Sequence, residues 1–181
     1  MKRIFLAWTP FMFLLTFASI LAYASVQQVI RMNANDPQIQ IAEDDQARIE
    51  DYGAGPQTVV GTPVDIEKSL APFVIVYDES GAAVASSGLL KGIIPVPPKG
   101  VFEYLRSKNE NRFTWEPEAG IRNAVVMRRI SGSRPGFILV GRSMREIETR
   151  LNSLEFMIAG FWFAGMIITF LYSLYVTRPS R

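Results

Sequence analysis

The chain contains no cysteine and no histidine among its 181 residues. Without cysteine there is no disulfide framework and no thiolate site. Without histidine there is no histidine phosphoacceptor, no Ser-His-Asp or Cys-His nucleophile system, and no His-ligated zinc or haem. Charge is missing from two long stretches. Neither residues 4–24 nor residues 156–177 hold a single Asp, Glu, Lys or Arg. A helix rises about 1.5 Å per residue, so each stretch is long enough for a hydrocarbon core about 30 Å thick.

These gaps predict a division into a tail at 1–3, a transmembrane helix at 4–24, an extracytoplasmic domain at 25–155, a second transmembrane helix at 156–177 and a tail at 178–181. Trp8, Trp162, Tyr172 and Tyr175 suit membrane segments with aromatics near interfacial depth. A cleavable signal peptide is the rival reading of the first stretch. Lys2 and Arg3 would head it, and Ala22-Tyr23-Ala24 fits the small-residue cleavage pattern. Its apolar run exceeds the usual length of about 7–15 residues, which favours a retained anchor. Either way the middle of the chain is exported.

Lys2 and Arg3 precede the first span, and Arg178 and Arg181 follow the second. The positive-inside rule puts both tails in the cytoplasm. The middle carries all 17 acidic residues and only 15 of the 19 basic ones. The basic balance of the whole chain therefore resides in its tails and gives no reason to expect a nucleic-acid partner. The expected location is a bacterial cytoplasmic membrane, crossed twice, with membrane lipid as one partner.

Within the exported part, helical spacing continues from the first span through Val26, Val29 and Ile30. Asn35 or Asp36 can cap a second helix with Pro37 in its first turn, running through Ile39, Ala42, Gln46 and Ile49 and ending at Gly53-Ala54-Gly55-Pro56. Residues 64–70 allow a short helix. The pattern then changes to strands: Phe73–Asp78 and Ala82–Ser87 flank the tight turn Glu79-Ser80-Gly81. A proline-containing loop over 89–97 leads to a helix over 99–108, with Val101, Phe102 and Leu105 on one face. Strands follow at 112–116, 122–130 and 136–142, and the short turns between them imply antiparallel neighbours. Ser143 with Glu146 matches a capping box, and no helix breaker follows before the second span.

This order resembles the extracytoplasmic PAS-like input domains, of PDC or Cache type, of bacterial two-pass sensor kinases and chemoreceptors. Phe73-Val-Ile-Val-Tyr-Asp-Glu-Ser-Gly-Ala-Ala-Val-Ala-Ser-Ser-Gly88 looks like that family's first hairpin. Phe137-Ile-Leu-Val-Gly-Arg-Ser-Met-Arg-Glu-Ile-Glu148 looks like its last strand and exit helix. The resemblance implies an α+β fold: a PAS-like antiparallel sheet of about five strands, with a long N-terminal helical region, flanked by two transmembrane helices. It also implies a sensor module binding a small ligand or a protein. One departure is that no output module fits in the residues after the second span. The chain is therefore expected to be no enzyme and to signal, as part of a two-component system, through a separate kinase or membrane complex. The alternative is a non-sensing docking subunit of such a complex.

A ligand in such a domain would sit between the sheet and residues 88–107. The candidates facing it are Tyr77, Tyr104, Trp115, Arg122 and Arg128. Arg122 and Arg128 lie an even number of residues apart and share a strand face with Ala124 and Val126. They could clamp a carboxylate; the plainer reading pairs them with Glu116 or Glu118. Trp115 is a ligand platform or a core residue. Glu43-Asp44-Asp45 is an acidic cluster without the alternating ligands of a calcium loop, and is read as a solvated helix face. Arg128-Arg129 with Arg134 could meet anionic lipid heads, or cap a solvated strand end. No metal or cofactor is expected. Gly160 and Ala164 form a small-xxx-small pair that suits close helix packing and homodimerisation through the spans.

Overall fold

The computed structural model describes residues 2–33 and 36–178. It comprises two compact units, Met32–Glu146 and the two terminal segments Met1–Arg31 and Ile147–Arg181 together.

The terminal unit is a hairpin of two long helices, α1 (Lys2–Asn33) and the last helix of the chain (Arg145–Val176). Both are long and apolar enough to cross a membrane, and their most apolar windows are not buried inside protein. Leu6, Phe156 and Phe161 are 81%, 80% and 74% exposed. Residues this apolar on an outer surface suit lipid rather than water. The helices run antiparallel, since Trp8 meets Thr169 and Thr16 meets Trp162. Edge-to-face ring pairs, Trp8 with Phe170 and Phe11 with Tyr172, also join the two helices.

The central unit begins with α2 (Asp36–Glu50) and a single turn, α3 (Pro56–Val59). The expected cap at Asn35 lies outside the described residues; α2 starts at Asp36 with Pro37 in its first turn. Next come β1 (Val64–Asp65), β2 (Phe73–Asp78), β3 (Ala83–Ser86), β4 (Gly88–Leu89), α4 (Lys99–Ser107), β5 (Glu110–Trp115), β6 (Asn123–Ile130) and β7 (Gly136–Ser143). The last helix, α5, follows at Arg145. The fold is α+β. Its main sheet has five strands in the order β3-β2-β7-β6-β5, antiparallel throughout. Here the expected strands all form, with β5 starting two residues early because Glu110 pairs with Arg128.

The expected short helix over 64–70 does not form. Val64 and Ile66 instead donate their amides to the carbonyls of Ser87 and Leu89, at 2.7 and 2.9 Å. Those bonds create the parallel pair β1–β4. Ile66 is then 2% exposed, and its burial fixes an extended backbone where local spacing also fitted a helix.

The sheet is buried on both faces, which explains why β2, β6 and β7 read as continuous apolar runs rather than alternations. Odd-numbered residues Phe73, Ile75, Tyr77, Val125, Met127, Phe137 and Leu139 build one core with α4. Even-numbered residues Val74, Val76, Val126, Ile130, Ile138 and Val140 build the other, with Ala42 and Ile49 of α2. Residues 42 and 49 lie two turns apart on one side of α2.

Candidate interaction site

The odd face is the one beside which a ligand would sit, between the sheet and residues 88–107. It is filled with aromatic rings. Phe102 of α4 stands edge-on between Tyr77 and Phe137, at centroid distances of 5.3 and 5.2 Å. The Phe73 ring lies against Gly88 and Gly141 so closely that an added Cβ would fall 2.6 and 2.4 Å from it. Glycine at these two positions lets the ring sink into the sheet. Trp115 and Leu105 complete the packing, at 5% and 0% exposure. Dispersion among such close-packed rings is collectively large, and their apolar area adds burial energy. The Tyr77 hydroxyl donates to the Pro95 carbonyl at 2.8 Å. Burial pushes its phenol well above the ordinary range, so it stays a neutral donor.

The five candidate ligand residues are not brought together. Tyr77 and Trp115 share the odd-face core. Tyr104 is 48% exposed on the opposite side of α4 from Phe102 and Leu105. Arg128 lies with the even-numbered residues and pairs with Glu43 of α2 at 2.7 Å and with Glu110 of β5 at 3.1 Å. Arg122 precedes β6, exposed, and its carbonyl accepts the Met144 amide at 2.9 Å. The face that Arg122 and Arg128 flank, with Ala124 and Val126, is covered by α2. The two arginines therefore do not bracket an open cleft. For Arg128 the acids are thus Glu43 and Glu110 rather than Glu116 or Glu118. Glu118 binds Lys91, raising that ammonium's pKa, and Glu116 accepts the Gly120 amide.

The acidic cluster Glu43-Asp44-Asp45 divides. Glu43 goes to Arg128, while Asp45 is only 6% exposed and accepts from Arg48 at 3.1 Å. Burial raises the Asp45 carboxyl above the usual range, despite Arg48. Gln38, two turns before Asp45 on the same side of α2, is fully buried, an uncommon place for an amide.

Residues 90–98 form a loop between β4 and α4. Lys91 and Gly92 both have positive φ, 51° and 81°, and sit between Leu90 and Ile93, whose backbones bond to each other in both directions at 2.8 and 3.0 Å. That is the geometry of a two-residue hairpin turn. The sequence predicts a proline-containing loop over 89–97; Lys91-Gly92 between the apolar pairs Leu89-Leu90 and Ile93-Ile94 is the signal for the turn.

At the start of α5, Arg145 donates to the carbonyls of Glu67 and Lys68 at 3.3 and 2.6 Å, and Arg142 to that of Leu70 at 3.1 Å. Glu146, expected to close a capping box with Ser143, binds Arg142 at 3.2 Å. The Ser143 hydroxyl does accept the Arg145 amide, at 3.3 Å. In the terminal unit, Gly160 and Ala164 are exposed on a face of α5 that carries Phe156, Met157 and Phe161. The close packing between α1 and α5 falls on Gly165 instead, where an added Cβ would lie 2.7 Å from Leu15.

Comparison with known proteins finds no family model that matches the chain and no similar curated protein.

Proposed function

We propose that the chain is a two-pass membrane protein whose central unit is a PAS-like, extracytoplasmic docking domain, working through contact with another protein of a membrane complex. The lipid-length helices α1 and α5 support the membrane assignment. The cations Lys2, Arg3, Arg178 and Arg181 outside the two uncharged stretches support cytoplasmic tails. The element order and the antiparallel five-stranded sheet support the PAS-like reading, which by itself carries no activity.

One observation favours docking over small-molecule sensing. The space between sheet and α4 is occupied by Phe73, Tyr77, Phe102 and Phe137, all at most 5% exposed. Small-ligand sites are concave and of several hundred Å³, and a ligand here would have to displace rings that hold the two layers together. The reading is tested on the full chain in mild detergent. A stoichiometric protein partner, with no shift in melting temperature across a panel of small carboxylates and amines, is the expected result. A stabilisation of several degrees by a small molecule, without a partner, would restore the sensing reading.

A further inference from the structure

Every residue from Ile94 to Pro98 is either a proline or immediately precedes one. Proline fixes φ near −65°, and the residue before it is driven out of the helical region into extended or polyproline II geometry. Pro98, at φ −57° and ψ 145°, sits in that geometry. A polyproline II helix has three residues per turn. Burial along the segment follows that period. Ile94 packs against the odd-face core and Pro97, three residues on, is buried. Ile93 and Val96, again three apart, point outward at 72% and 54% exposure, and the next position in the series is the exposed Lys99.

The segment is held at both ends. The Lys91–Gly92 turn closes one end, the Tyr77 hydroxyl grips the Pro95 carbonyl, and α4 begins at Lys99. Lys91 is neutralised by Glu118, whereas Lys99 makes no ion pair among the described residues. Two large aliphatic side chains are thus kept in water on a backbone that has little conformational entropy left to lose. Binding residues are often carried on loops that a rigid scaffold positions, and this exposed pair is positioned in that way.

Resting on the docking reading above, we propose that the outward edge of residues 93–99 is the recognition ridge, and that its partner is a protein with an aromatic-lined groove ending in a carboxylate. Aromatic grooves recognise preformed polyproline II segments through their exposed apolar positions. Ile93 and Val96 would enter the groove, and the acid would meet the Lys99 ammonium. Three residues of polyproline II span about 9 Å, so the acid lies about that distance from the Val96 subsite.

The experiment places a photo-crosslinking amino acid at Val96 in the full chain, in its native membrane, with Tyr52 and Val84 as reference positions, both exposed. The expected result is a protein adduct at Val96. That protein, purified, binds the full chain, and Val96→Asp and Lys99→Glu each weaken binding at least tenfold, whereas Tyr52→Ala does not. Unchanged melting temperatures for these surface variants show that folding is intact. A lipid adduct at Val96 overturns the proposal in favour of a bilayer contact. So does a captured protein whose affinity ignores both substitutions. Protein adducts from Tyr52 or Val84 but not Val96 overturn the ridge and leave docking standing. No protein adduct at any of the three positions overturns both.

Discussion

The indole N–H of Trp162 donates to the Thr16 hydroxyl at 3.0 Å, and Trp8 repeats this bond to Thr169, also at 3.0 Å. The two helices thus exchange the same pair of residue types in opposite directions. Among lipid tails, apolar side chains gain little by meeting each other, so bonds of this kind and close packing carry helix association. Thr16→Val and Trp162→Phe in the full chain should be non-additive in a double-mutant cycle followed by unfolding in denaturing detergent. The expected coupling is about 0.6 kcal/mol, up to about 1.7 kcal/mol. Additive effects would show that the bond does not contribute.

Gly165 and Gly160 should respond oppositely to bulk. Gly165→Leu forces a side chain against Leu15 and should destabilise the helix pair by about 1–3 kcal/mol. Gly160→Leu meets nothing within 4 Å in its own chain and should leave the pair intact. If Gly160→Leu alters migration in a native gel, the face it shares with Ala164 contacts a second copy.

In the central unit, Gly141→Ala should lower stability by about 1–3 kcal/mol, because its methyl would overlap the Phe73 ring. Phe73→Leu in the same chain should recover part of that loss, although Phe73→Leu alone destabilises. Thermal melts followed by the fluorescence of buried Trp115 would read both.

Asp45→Asn should raise the melting temperature at pH 7 by a few degrees, about 2–4 °C per kcal/mol for a chain this size. The sign follows from burial, which raises the Asp45 carboxyl in the folded state. Its charged form is disfavoured on folding, so this group's contribution is most favourable below the ordinary value of 3.8 and is lost as pH rises through the folded value. Wild type and Asp45→Asn should therefore converge in acid. Asp78 behaves the other way. Its carboxylate accepts from the Ser80 hydroxyl and from the Ser80 and Ala82 amides, which lowers it. That contribution is present above 3.8 and fades as pH falls through the folded value.

Much of this fold was legible because its strands are apolar runs ended by turns. Gly81, at φ 89°, closes the first hairpin as expected. Elements made by distant pairing were not legible. β1 exists only because Ser87 and Leu89, more than twenty residues later, offer two carbonyls. Site residues fared less well for a related reason. Alternation put Arg122 and Arg128 on one face, but only the path of α2 decides that this face is covered and that Glu43 reaches Arg128. Nor does small-residue spacing distinguish Gly160, open to the outside, from Gly165, which Leu15 occupies.

Strand β7 runs directly into α5 and lies at the centre of the sheet, bonded to β2 on one side and β6 on the other. Tension applied along β7 at its C-terminal end therefore loads two hydrogen-bonded ladders at once, in shear. Peeling one edge strand breaks bonds in succession, whereas this geometry makes them fail together. The sheet therefore resists a pull on its C-terminal strand more firmly than the same pull on β3 or β5 at its edges.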